Sequence, residues 1–153
     1  MSNKTPIYYY DPIVGNFHYG QMHPMKPQRI QITHSLVLHY GLHKKLHFYQ
    51  PRLATKTDLT TFHRLVDFVF MPYMLYCVFS KEYIDFLSRV TNENQTQYSR
   101  ELERFSVGQA NGDSPVFGGM YEFCRRYTGG SLTAACHMNQ VYKKSIYVFD
   151  LLR

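Results

Sequence analysis

Three histidines, His39, His43 and His47, recur at intervals of four residues. On one continuous helix that spacing would place three imidazoles on a single face, where neutral ring nitrogens can hold zinc. Gly41 falls inside the run and no Asp or Glu does. The residues themselves therefore favour capping or exposed histidines over a metal site. Three cysteines, Cys77, Cys124 and Cys136, make an odd number with no C-x-x-C pair, which argues against a disulfide framework and a thiolate zinc site alike. The N-terminal residues lack the apolar run of a signal peptide, so a reducing compartment is expected, cytosol or nucleus.

Charge is distributed unevenly. Through Thr57 the basic residues are Lys4, Lys26, Arg29, Lys44, Lys45, Arg52 and Lys56, against the single acid Asp11. That segment carries the whole formal charge of +6, and seven of the eight histidines precede residue 64. A basic, His-rich stretch suits an anionic partner such as phosphate, inositol phosphate or nucleic acid, or it serves solubility alone. At 153 residues, 44% hydrophobic and 18% charged, the chain is one globular domain in length and composition rather than a disordered or collagenous one.

Several elements are expected to position these groups. The apolar run 7–10 reads as a short buried strand ended by Asp11-Pro12, and 46–49 as a second. Residues 14–27 form a long loop, and loops of that length without secondary structure tend to be functional. Pro27 opens a helix over 28–40, with Ile30, Leu36, Val37 and Tyr40 near helical spacing, and Gly41 stops it. Thr57-Asp58 caps a short helix reaching His63. Further helices are expected over 81–90 and 98–105, and the longest over 116–137, interrupted at Gly129-Gly130. Residues 107–115 form a second long loop. Residues 64–79 fit none of these: 13 of the 16 are apolar or aromatic. The stretch falls short of the roughly 20 residues that span a bilayer, and Pro72 sits in its middle.

The strings Tyr8-Tyr-Tyr-Asp-Pro-Ile-Val-Gly-Asn-Phe-His-Tyr-Gly20, His23-Pro-Met-Lys-Pro-Gln-Arg29 and Thr33-His-Ser-Leu-Val-Leu-His-Tyr-Gly-Leu42 closely resemble the N-terminus of class I histone deacetylases, nearest the histone deacetylase 3 type. The resemblance resumes at Ser80-Lys-Glu-Tyr-Ile-Asp-Phe-Leu87 and continues through Ser114-Pro-Val-Phe117, Glu122-Phe-Cys124 and Tyr127-Thr-Gly-Gly-Ser-Leu132. It implies an α/β chain, the N-terminal portion of the arginase/deacetylase-type parallel-sheet fold, incomplete. The partial domain would cover 7–140, with 64–79 as an apolar insertion and 141–153 as a divergent tail. Unspliced intron sequence would account for both departures.

The resemblance implies a parent reaction, zinc-assisted hydrolysis of acetyl-lysine, with an Asp/His/Asp ligand set, an adjacent histidine pair and an oxyanion tyrosine. The chain has no His-His pair and no Asp-x-His motif. No catalytic or metal residue therefore carries over, and no cofactor is expected in this chain. Supporting positions do carry over. His18 and Lys26 match an inositol-phosphate site shared with a corepressor, where Met22 stands in place of the family's glycine. Asp113 matches the rim aspartate that holds the substrate backbone, and Tyr19, Met25 and Arg29 match the inner pocket. Without the zinc-bearing half, those last three are expected to line no pocket.

The expected function is a truncated class I deacetylase-like protein, inactive alone. Its family partners would be a corepressor subunit, inositol phosphate and histone substrate. No membrane association is expected, and the location would be nuclear with the cytoplasm as alternative. A corepressor and inositol-phosphate decoy is the second reading. A small basic nucleic-acid-binding domain ranks last, because no recognised nucleic-acid motif is present. The missing sheet neighbours would leave an apolar edge and helix faces uncovered, giving a poorly stable monomer.

Overall fold

The computed structural model describes residues 6–65, 81–108, 113–140 and 148–150. The apolar run after Pro6 forms strand β1 (Ile7–Tyr9), buried at every position. It is the centre of a three-stranded parallel sheet ordered β2-β1-β3, with β2 at His47–Tyr49 and β3 at Val148–Asp150. Register pairs Tyr8 with Phe48 on one side and with Phe149 on the other. A strand flanked on both sides in a parallel sheet is expected to be a continuous apolar run, and Ile-Tyr-Tyr is one.

Helix α1 (Gln28–His39) begins after Pro27, and the chain leaves it at Gly41, whose φ of +67° is the left-handed conformation that glycine adopts without steric cost. Only Ile30 of α1 is buried; Leu36 is 51% exposed and Tyr40 76%. The apolar spacing of α1 therefore marks a largely uncovered face. Ile32, Leu38, Leu42, Phe48 and Tyr49 are also exposed on α1, β2 and the turn between them. Where α1 does meet the sheet, it does so through His34, whose ring stacks on Tyr10 at 3.7 Å while its Nδ1 lies 3.2 Å from the Tyr8 hydroxyl. Burial pushes the Tyr8 hydroxyl up to about 12 and lowers His34.

Helix α2 (Lys56–Leu65) starts earlier than expected. Its cap is Thr55, not Thr57: the Thr55 hydroxyl accepts from the Asp58 N–H at 3.1 Å, and Asp58 Oδ2 accepts from the Thr55 N–H at 2.7 Å. This reciprocal box satisfies two otherwise unpaired donors. Arg52 adds a two-pronged contact to the same carboxylate at 2.7 and 3.2 Å. The Arg52 guanidinium and the Thr55 donors hold the Asp58 carboxyl far below the usual carboxylate range. A depressed carboxyl contributes stability that is complete above its unfolded pKa of about 3.9 and is lost as pH falls below that value. Acid melts followed by circular dichroism should therefore show Asp58→Asn less stable than the parent at pH 6, with the gap narrowing progressively as pH falls below about 4. An unchanged gap would rule out this linkage.

Helices α3 (Lys81–Arg89) and α4 (Ser99–Arg104) follow. Lys56 pairs with Asp85 to join α2 to α3. The longest helix, α5, runs Met120–Gln140. It begins four residues later than expected and continues straight through Gly129-Gly130, because Gly129 is the point at which the Arg52–Ala54 backbone lies against the helix. The core joins Val14, Ile30, Ile84, Phe86, Val107 and Phe123 with their neighbours. β3 lies in the segment expected to be a divergent tail. The apolar stretch 64–79 falls outside the described residues apart from its first two positions, which end α2. Among the described residues no helix is long and apolar enough to cross a membrane.

Candidate functional site

The loop after β1 is built around Asp11. One carboxylate oxygen accepts the Ile13 N–H at 2.8 Å, starting the 3-10 turn Val14–Asn16, and the other takes a bond from Arg126 on α5. The chain then drops Phe17 against Phe123, ring centres 5.3 Å apart, with Gly119 leaving room for the ring. Tyr19 follows, half-buried against Phe117 at 4.8 Å and edge-on to Phe123 at 5.5 Å.

Past Tyr19 the loop turns outward and closes on itself. His18 Nδ1 accepts the Gly20 N–H at 3.0 Å. The Lys26 ammonium donates to the Gly20 and Gln21 carbonyls at 3.0 and 2.8 Å. His23 Nδ1 accepts the Met25 N–H at 3.0 Å. Met22 points to solvent, 93% exposed. His18, Met22 and Lys26 thus share one loop, and two of the Lys26 donors are engaged by the loop's own backbone.

Tyr19, Met25 and Arg29 do line a cleft, contrary to expectation. Its volume is about 210 Å³, and its opposite wall is Phe123 and Tyr127 of α5. The expectation failed because the cleft needs only α5, which this chain contains, and not the segments beyond it. Phe123 and Tyr127 were not singled out in the sequence. Their signal was the four-residue spacing that puts both on one face of α5. Arg29 Nε reaches Met25 Sδ at 3.3 Å. Burial raises the Tyr19 hydroxyl, the neighbouring Cys124 adds to this, and the Arg29 cation opposes it. Tyr127 is raised further, by burial first and then by Cys124, Tyr83 and Tyr19. At neutral pH the cleft therefore offers neutral phenols and one guanidinium, an arrangement suited to donating hydrogen bonds rather than to abstracting protons.

Burial also pushes the Cys124 thiol up, the Tyr127 contact opposing it only in part. Cys136 is exposed. In a Cys77→Ser background, Ellman's reagent should label one thiol rapidly and the other about tenfold or more slowly, with both fast in urea, since reactivity follows thiolate content and access. Two equal fast phases in the folded protein would contradict the placement of Cys124.

Asp113 is exposed and adjoins residues 109–112, which lie outside the described set. His39, His43 and His47 fall in three different elements: the last turn of α1, the following 3-10 turn and β2. Among the described residues no group of three or more His, Cys, Asp or Glu is placed to hold a metal ion.

The histone deacetylase domain profile matches residues 23–149, from the loop through the cleft helix and into β3. The chain belongs to the histone deacetylase family. It is similar to histone deacetylase HDAC1 of Drosophila melanogaster, 42% identical over 139 residues. That alignment takes in 91% of this chain and 23% of the relative, so the chain spans about a quarter of the relative's length. Histone deacetylases of this type are zinc-dependent. The described residues do not offer a zinc ligand set.

Proposed function

We propose that this chain is a non-catalytic deacetylase-family protein. It supplies the Tyr19–Arg29 cleft and its supporting loop but does not itself hydrolyse acetyl-lysine. The observation that carries this reading is the pairing of a family match over residues 23–149 with a sequence holding no His-His pair and no Asp-x-His motif. The cleft's own groups are neutral phenols and a guanidinium, which donate hydrogen bonds and supply no general base to activate a nucleophile. The purified chain, incubated with zinc and an acetyl-lysine peptide, should release acetate at the rate of a protein-free blank. Turnover above that blank would overturn the reading.

The setting proposed with it is that of the parent family, nuclear chromatin and transcriptional repression. A decoy role within that setting draws on charge: Lys26 is held by neutral carbonyls, and residues 12–57 contain no acid. Those neutral carbonyls do not offset the Lys26 charge, which suits a polyanion such as inositol phosphate. Pull-down with a corepressor domain, with and without inositol phosphate, tests that role. Steeply salt-dependent binding to DNA would favour nucleic acid instead.

A further inference from the structure

We infer that Asp11 and Arg126 act as a positioning pair that fixes the two walls of the Tyr19–Arg29 cleft relative to each other. The pair is nearly dry: the side chains are 3% and 11% exposed. Asp11 stands where β1 ends and the loop carrying Phe17, His18 and Tyr19 begins. Both its oxygens are used, one to turn the loop at Ile13 and one to take the Arg126 Nη1–H at 2.8 Å. Arg126 sits between Phe123 and Tyr127 in the sequence of α5, and those two residues form the opposite wall. The Glu122 carboxylate, one turn earlier, accepts from Arg126 Nε at 3.0 Å and holds the guanidinium in place. One buried bond therefore joins residues 115 positions apart in sequence and ties the loop wall to the helix wall.

The energetics favour positioning over general stability as its role. Removing two charges from water is costly, and well-packed apolar groups of similar volume often serve stability as well or better. What apolar packing does not supply is direction. The guanidinium and the carboxylate accept only a narrow range of mutual orientations, and that restriction sets the depth at which Tyr19 meets Phe123.

The double substitution Asp11→Asn with Arg126→Met separates the two roles. Asparagine retains an oxygen for the Ile13 N–H, and methionine retains volume without charge. Ring-to-ring nuclear Overhauser effects report each region: Tyr19–Phe123 and Phe17–Phe123 for the cleft, and Tyr8–Phe48, at 4.7 Å, for the sheet. The expected result is loss of the two cleft signals with the sheet signal and the melting temperature retained. Arg126→Lys, which keeps a donor within reach of Asp11, should preserve all three. Cleft signals that persist in the double variant would overturn the inference. So would joint loss of all three, because the pair would then serve the fold as a whole.

Discussion

Arg126→Ala should lower the unfolding free energy by about 3–5 kcal/mol, the usual cost of removing one partner from a buried ion pair. Asp11 is 2% exposed, and the substitution leaves its Oδ2 facing protein without the 2.8 Å donor that now satisfies it. Water must then be admitted beside the core to satisfy that oxygen, or it stays buried without a donor. The outer arm of the same network gives the contrast. Glu122 is 50% exposed and contacts Arg126 one turn along the helix, a geometry worth about 0.3–0.5 kcal/mol. Glu122→Gln should therefore be nearly silent in a urea melt in which Arg126→Ala moves the midpoint far to lower denaturant. Equal effects from the two would mean that Asp11 is hydrated and the pair is not buried in solution.

What could be read beforehand was whatever depends on short-range chemistry. The β1 run, the Pro27 start and the Gly41 stop each act within a few residues, and each appears where expected. The Thr55 cap was missed because the Thr-Asp and Thr-x-x-Asp patterns overlap in Thr55-Lys-Thr-Asp58, and only the hydrogen bonds separate them. The cleft was missed for a different reason. Its walls are about a hundred residues apart, and nothing local to Tyr19 points to Phe123 or Tyr127. The same holds for β3, three residues whose register against β1 spans some 140 positions. Non-local pairing of this kind is decided by tertiary contact and overrides local propensity.

Gly129 is the sharpest case, because local propensity reads it as a helix interruption while packing requires it within a helix. Gly129→Ala should destabilise the protein by about 2–3 kcal/mol, the upper part of the range for overpacking a core. Alanine is intrinsically the better helix residue by about 1 kcal/mol, so the sign depends on what its methyl group meets. A Cβ at this position would lie 1.9 Å from the Arg52 carbonyl oxygen and 2.9 Å from the Ala54 nitrogen. Both are backbone atoms and cannot swing aside. The segment that carries them is pinned: the Ala54 N–H donates to the Arg125 carbonyl at 3.0 Å, Arg125 Nε returns a bond to the Ala54 carbonyl at 2.7 Å, and Arg52 is held by Asp58. Relief of the clash would break these bonds or push α5 off the core. Gly118 has nothing within 4 Å of the equivalent position, so Gly118→Ala should stay within about 0.5 kcal/mol of the parent. If Gly129→Ala melts at or above the temperature of the Gly118 control, helix propensity has outweighed the contact, and the Arg52–Ala54 segment does not lie against α5 in solution.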